Sequence, residues 1–506
     1  MEYENLMMNA NKKTVASVDL GSSSFRMVIC RVEELNGQKQ IYVIDSLREP
    51  VRLGAGLKAD KTLDADSQLR AVNALLRFGE RLRSFSTEQV RAVATNAVRV
   101  ARNAQAFLDK AEEALGFPIE VIGGQEEARL VYCGVANLLP SGQGRRLVVD
   151  IGGGSTEFVI GDDHNPLCME SLYMGCVSWT QKYFPDANVT AKAMKEAILA
   201  ARKEVAILRR DFYSLGWTHA VGSSGTARAI AELHRANGLY TQGINAAGLQ
   251  KLKEELIKAG NVHKCGLEGL KPDRIGVMAG GLAVMCAVFE ELELTEMTVT
   301  EGGLRQGVLY DMLGRNTDHD MREVTVLRFM ERDQIDKSHA KRVKELALAL
   351  QSQITDQYGR ESDNATKRLG WACDLHEIGL SVSHNGFHKH SAYILRNSDM
   401  PGFSRPEQNI LSDIVLGQTG KLAKLNEVIT RPSEWLDVLC LRLATLFLRR
   451  RVADTYPVLS LKIKNKAVCL SIPADWLSDH PLTEYALGIE SQEWEKINWK
   501  LDLKRV

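Results

Sequence analysis

The chain has 506 residues, 44% hydrophobic and 25% charged, with 64 basic and 64 acidic side chains. That balance excludes a disordered polyelectrolyte, and the 40 glycines and 12 prolines exclude a continuous coiled coil. Zero net charge gives no sign of a dedicated nucleic-acid binder, which carries a basic excess.

At roughly 150 residues per domain the length suits about three domains. The nine cysteines are odd in number and show no C-x-x-C spacing, so they read as free thiols in a reducing compartment, not as a zinc ribbon or disulfide framework. The N-terminal MEYENLMMNANKK has no apolar signal core. The longest apolar stretch, Ile275 to Phe289, is interrupted by Gly280-Gly281 and is too short to span a bilayer. The expectation is a cytoplasmic protein with no transmembrane segment.

In chain order, Val15–Val18, Phe25–Val32 and Gln40–Asp45 read as strands, and Leu69–Phe85 carries helical spacing. Val90–Ala94 reads as a strand, Gln105–Leu115 as a helix, Pro118–Ile122 as a strand and Gln125–Leu139 as a helix. Such interleaving argues for an α/β architecture. After about residue 315 the texture turns helical: Met321–Arg332, Ser338–Tyr358, Thr366–Glu377, Lys389–Arg396 and Glu434–Arg451, with a strand-like run at Val458–Leu470. The divisions expected are 1–132, 133–315, 316–450 and 451–506.

One internal repeat organises the first part. VASVDLGSSSFRMVI at 15–29 matches RLVVDIGGGSTEFVI at 146–160, aligning Asp19 with Asp150 and Gly21 with Gly152. Each copy is a strand, Asp-x-Gly, a small-residue turn and a second strand. Small residues let backbone approach a ligand, so successive N–H groups can cradle an anion. The aspartate ending each first strand can hold Mg²⁺ directly or through water. Two such turns facing across a cleft would clamp a phosphate chain, whereas one alone is an ordinary hairpin. A third loop, Gly222-Ser223-Ser224-Gly225-Thr226, opens a helix and offers its N-terminus to an anion. It is not a Walker A loop, since no Gly-Lys-Ser/Thr follows. Glu126-Glu127-Ala128-Arg129 begins a helix, where an acid is either a dipole-favoured cap or a general base. Arg99 suits bidentate phosphate contact or a surface ion pair.

Asp19-Leu-Gly-Ser-Ser-Ser, Ala94-Thr-Asn-Ala-Val-Arg99, Glu126-Glu-Ala-Arg129, Asp150-Ile-Gly-Gly-Gly-Ser-Thr-Glu157 and Gly222-Ser-Ser-Gly-Thr226 stand in the order and spacing of one family. The chain resembles a bacterial exopolyphosphatase of the exopolyphosphatase/guanosine pentaphosphate phosphatase (Ppx/GppA) family, in the actin and sugar-kinase superfamily. The resemblance implies duplicated actin-like (ribonuclease H-like) α/β domains around an interdomain cleft, then a mostly helical HD-like C-terminal region. It implies release of orthophosphate from the end of linear inorganic polyphosphate, with Mg²⁺ (or Mn²⁺) and a homodimer. Glu127 matches the catalytic base, and Asp150, Glu157 and Asp19 the metal-site acids. Arg99, Gly21, Ser22, Ser23, Gly152, Gly153, Gly154, Ser155, Thr156, Gly222 and Ser223 match phosphate-binding positions. His376-Glu377 stands where an HD site has His-Asp, and with no second ligand set no catalytic metal is expected there. The stretch 415–421 is less basic than in relatives; Lys341, Arg342, Lys344, His384, His388, Lys389 and His390 are the substitutes, or a solvated face. Three rivals remain: hydrolysis of guanosine pentaphosphate to the tetraphosphate, a small-molecule kinase of the same superfamily, and a silent phosphate sensor.

Overall fold

The structure, a computed structural model, describes residues 14–35, 38–139, 144–315, 321–357, 362–398, 400, 402–403, 405–429, 431–451 and 456–506. The N-terminal 1–13, Tyr358 and the expected break at 315/316 touch residues outside that set. Two compact units emerge, Met1–His319 and Asp320–Val506.

The first unit contains two sheets with matching wiring. One has β1 (Thr14–Leu20), β2 (Phe25–Leu35), β3 (Gln38–Glu49), β4 (Val90–Ala94) and β5 (Ile119–Val121) in the order β3-β2-β1-β4-β5. The other has β6 (Arg146–Ile151), β7 (Thr156–Asp162), β8 (Asn165–Leu172), β9 (His219–Ser223), β10 (Ile244–Asn245) and β11 (Glu296–Val299) in the order β10-β11-β9-β6-β7-β8. In each sheet the opening strand pairs antiparallel with the next strand of its hairpin and parallel with a later one, β1 with β2 and β4, β6 with β7 and β9. The sequence repeat is therefore a repeat of topology, as a duplicated α/β domain requires. β4 and β6 are buried along their whole length, which their continuous apolar runs dictate in a sheet covered on both faces.

Helices cover the sheets: α1 (Ala65–Leu82), α2 (Asn96–Arg99), α3 (Ala104–Leu115), α4 (Gly124–Ala136), α5 (Cys176–Tyr183), α6 (Ala191–Val205), α7 (Arg209–Leu215), α8 (Ser224–Ala236), α9 (Ala246–Ala259), α10 (Pro272–Glu291) and α11 (Leu304–Arg315). In α1 the Asp64 side chain accepts the Ser67 N–H, and Ala71, Ala74, Leu75, Phe78 and Leu82 form one buried stripe. α10 corrects an expectation: with 20 residues it is long and apolar enough to cross a bilayer. It instead runs through the core, with Met278 to Phe289 buried. Gly280 and Gly281 are needed there, because an added Cβ would lie 2.4 Å from Thr180 Oγ1 and 2.7 Å from Thr226 Cγ2.

Two helices change sides. α4 follows the first sheet in sequence yet packs Ala128, Val131, Tyr132 and Val135 against Val148, Val159 and Val221 of the second. α11 follows the second sheet and sets Leu309 against Val28 and Cys30 of the first. Where they cross there is no room for side chains: a Cβ on Gly307 would lie 1.7 Å from Leu130 O, and one on Gly134 2.1 Å from Gly303 O. A division at 132/133 falls inside α4 for this reason.

The second unit holds α12 (Met321–Arg332), α13 (Lys337–Ser352), α14 (Ser362–Leu375), α15 (Phe387–Asn397), α16 (Arg405–Gly417) and α17 (Pro432–Phe447). The strand-like run 458–470 resolves into a hairpin, β12 (Ser460–Lys464) and β13 (Ala467–Ile472), joined in parallel by β14 (Lys500–Arg505) after α18 (Ala474–Asp479) and α19 (Pro481–Glu495). Leu461, Val468, Leu470 and Leu501 belong to the same hydrophobic cluster as Val343, Leu369 and Leu439, so residues 456–506 share the core of the helices.

Candidate active site

The β1–β2 turn and the β6–β7 turn are built alike. A Cβ on Gly21 would stand 3.0 Å from Ser24 O, and one on Gly152 3.0 Å from Ser155 O. The turns also meet face to face. A Cβ on Gly153 would come within 2.9 Å of Ser22 Cβ, and one on Gly154 within 2.5 Å of Asn96 Oδ1. Glycine is required here by the close approach of the opposite loop, which leaves N–H groups and hydroxyls at the rim of a cleft of about 150 Å³.

Five carboxyl groups line that cleft: Asp19, Glu127, Asp150, Glu157 and Glu301. Asp19 lies next to last in β1 opposite Arg26, and Asp150 next to last in β6 opposite Glu157 and beside Ser223. The Ser223 hydroxyl sits 2.9 Å from Asp150 Oδ2, and Ser171 donates to Glu157 Oε1 at 2.9 Å. Glu127 is aimed by its helix. Glu126 and Arg129, at i and i+3, form a 2.8 Å bidentate pair on another face of α4, and Arg129 reaches Asp311 of α11 at 2.6 Å. Arg91 joins Asp311 at 2.6 Å. This buried network fixes α4 and leaves Glu127 for the cleft, where Arg99 Nη1 donates to its Oε2 at 3.0 Å and to Ile122 O at 2.9 Å.

Burial sets the protonation states. It pushes Glu127 up to about 7, opposed by Arg99 and reinforced by the charges of Asp19 and Asp150. It raises Asp19 to about 6 against the pull of Arg305 and Arg26. Glu157 is driven well above the carboxylate range by burial and then by Glu127 and Asp150, and Asp150 is raised by burial. The cations are under the opposite stress: burial and then Arg305 bring Arg26 down to about 10, and burial lowers Arg305 and Arg274. Acids crowded against acids and guanidiniums against guanidiniums describe a site that a cation and an anion together would relax.

The third loop turns at Ser224, whose φ of 77° lies in the left-handed region, a strain of about 1–2 kcal/mol for an L-residue. It is held by its own hydroxyl and that of Thr226, both donating to Ile151 O, at 3.0 and 2.9 Å. The result aims the N-terminus of α8 into the cleft, with Ser223, Ser224, Gly225 and Thr226 in its wall.

Most of the expected positions come together: Asp19, Gly21, Ser22, Ser23, Glu127, Asp150, Gly152, Gly153, Gly154, Ser155, Glu157 and Ser223 all line the cleft. Three differ. Thr156 is fully buried and donates its hydroxyl to Met174 O at 2.6 Å; strand alternation turns it away once Glu157 faces the cleft. Gly222 lies beneath the loop, its Cα facing Ala227 and Met297. Arg99 stands behind Glu127 and is not in the cleft wall. Asp19, Asp150 and Glu157 also do not close into a three-donor cage; among the described residues only His339, His376 and Glu377 do. Sequence reading missed Arg26, Arg228, Arg274 and Arg305, all in the wall. The repeat could have flagged Arg26, which occupies the register of Glu157.

Residues 28–316 match the Ppx/GppA phosphatase family, and residues 321–491 match domain III of Ppx/GppA phosphatases. The chain thus belongs to the Ppx/GppA phosphatase family. Among solved structures it is similar to the Aquifex aeolicus member of that family, at 27% identity over 60% of this chain and 99% of that one, TM-score 0.51. It also shares its fold with an exopolyphosphatase from Cytophaga hutchinsonii, at 22% identity over 60% of this chain and 98% of that one, TM-score 0.53.

Proposed function

We propose that this phosphatase is an exopolyphosphatase, removing the terminal phosphate of linear inorganic polyphosphate. The observation that carries the reading is the cleft's lining: hydroxyls, backbone turns, four arginines and five acids, with no aromatic side chain among the described wall residues. A polyanion without a base matches that surface better than a nucleotide, which calls for stacking.

The terminal phosphoryl group would sit between the two turns and the α8 N-terminus, with Arg26, Arg228 and Arg305 balancing the charge on its oxygens. Glu127, poised near neutrality, takes a proton from water as the water oxygen bonds to phosphorus. The bridging P–O bond breaks, the electron pair leaves with the shortened chain, and orthophosphate is released. Arg99 positions the Glu127 carboxylate for that transfer. The oxygen donors Asp19, Asp150 and Glu157 suit Mg²⁺, with Mn²⁺ as a substitute. Not being gathered into one cage, they would hold such an ion through few direct carboxylate contacts. Bound there, the ion would supply charge neutralisation. A homodimer in the cytoplasm is added to the proposal on family resemblance alone.

The test is orthophosphate release by the full chain with Mg²⁺, from long-chain polyphosphate and guanosine pentaphosphate in parallel. Faster release from polyphosphate supports the proposal. Faster release from the nucleotide replaces it with alarmone hydrolysis, and no release from either sinks both.

A further inference from the structure

We propose that the second unit contains a divalent transition-metal site formed by His339, His376 and Glu377. His376 and Glu377 follow the end of α14, and His339 comes from the first turn of α13. The sequence gives no hint of their meeting, because His339 lies far from the other two along the chain. One ligating atom from each falls within 4.8 Å of the others, and the residues are only 3%, 2% and 8% exposed.

Two observations point to a ligand. The ring of His376 is set as metal-bound imidazoles are: Nδ1 lies 2.7 Å from Cys373 O. Donating there, it leaves the lone pair of Nε2 free, 3.9 Å from Glu377 Oε1. His339 Nδ1 is buried with no hydrogen-bond partner, a state that costs stability unless something binds. Two imidazoles and one carboxylate favour Zn²⁺, Co²⁺ or Ni²⁺ over Mg²⁺. Tetrahedral donors lie about 3.3 Å apart, given metal–ligand lengths near 2.0–2.1 Å, so the three groups need only close by side-chain rotation. Arg451 is the competitor. Its guanidinium pairs with Glu377, but its side chain is 45% exposed and can swing into water. The site opens on a cavity of about 550 Å³ whose wall carries Lys421 and Arg449, so water or an oxyanion completes the coordination.

The experiment titrates the chelator-treated full chain with Co²⁺ in excess Mg²⁺, reading visible d–d absorption. One equivalent giving an intense tetrahedral band is expected. His339→Gln should remove the band and weaken binding at least about tenfold, the lower bound for losing even an outer partner. Arg451→Gln, a change at the surface, should tighten binding severalfold. The proposal is overturned by the absence of a band, by an unchanged band in His339→Gln, or by unchanged affinity in Arg451→Gln. The last readout serves also if His339→Gln does not fold.

Discussion

The two hairpins of the first unit are copies in wiring and opposites in charge. Both carry an aspartate next to last in their first strand and turn through a tight Gly-x-x-Ser, yet where the first places Arg26 opposite its aspartate the second places Glu157. Around Arg26 the charged neighbours are Arg305, Arg48 and Arg228 as well as Asp19; around Glu157 they are Glu127 and Asp150, with Arg99. Duplication kept the anion-cradling turn, and one reversed residue divided the labour. The first wall gathers cations and the second gathers acids; in the proposed function the cations would meet phosphate oxygens and the acids would serve a metal ion and a proton.

The largest effect should come from the acidic wall. Glu127→Ala is expected to lower kcat by about 10²–10⁴-fold, the usual contribution of a positioned base, while polyphosphate binding measured by calorimetry stays near wild type. Loss of binding in a folded variant would show that both walls hold substrate and that the division is wrong. The next effect belongs to the cationic wall. Arg26→Glu makes the first hairpin a copy of the second and should raise KM about 10–100-fold, from losing a charge-assisted contact of about 1.5–3 kcal/mol. A fall in kcat at unchanged KM would move Arg26 to the chemistry.

The smallest effect sharpens the comparison through pH. Burial, and after it the charges of Asp19 and Asp150, push Glu127 up to about 7 against the pull of Arg99. Carbon-13 NMR of the metal-free protein should show Asp19→Asn lowering the Glu127 midpoint more than Asp150→Asn, and Arg99→Gln raising it. The reverse order would make the second hairpin the stronger neighbour. The same shift has a stability sign. With the folded pKa above the unfolded one, the native state holds the extra proton, so this contribution is full below about 4.3 and is lost as pH rises through about 7. Glu127→Gln should flatten that slope in thermal melts.

Much of this was legible because it is local. Apolar runs ending in Asp-x-Gly announced both hairpins, and their match announced the shared wiring. Glu127 needed the family resemblance, since an acid in a first helical turn reads equally well as a cap. Thr156 was legible and misread: in a strand it cannot share a face with Glu157. Arg228, Arg274 and Arg305 were not legible, because their convergence depends on where three helices are carried. Lys344, a candidate for a basic track, is instead held by Asp374 at 2.6 Å, a partner 30 residues away.

The glycine crossing of α4 and α11 has a mechanical consequence. With Leu130 O against Gly307 and Gly303 O against Gly134, the two helices are in backbone contact, so the crossing works as a pin that fixes one sheet against the other. Glu127 rides on a helix bedded against the second sheet, while Arg99, its guide, belongs to the first. Their 3.0 Å contact therefore joins the two halves, and it depends on the helix crossing holding its place. A methyl group at Gly307 would meet Leu130 O at 1.7 Å, so even this smallest side chain would prise the two helices apart and unseat the registry between the sheets they join.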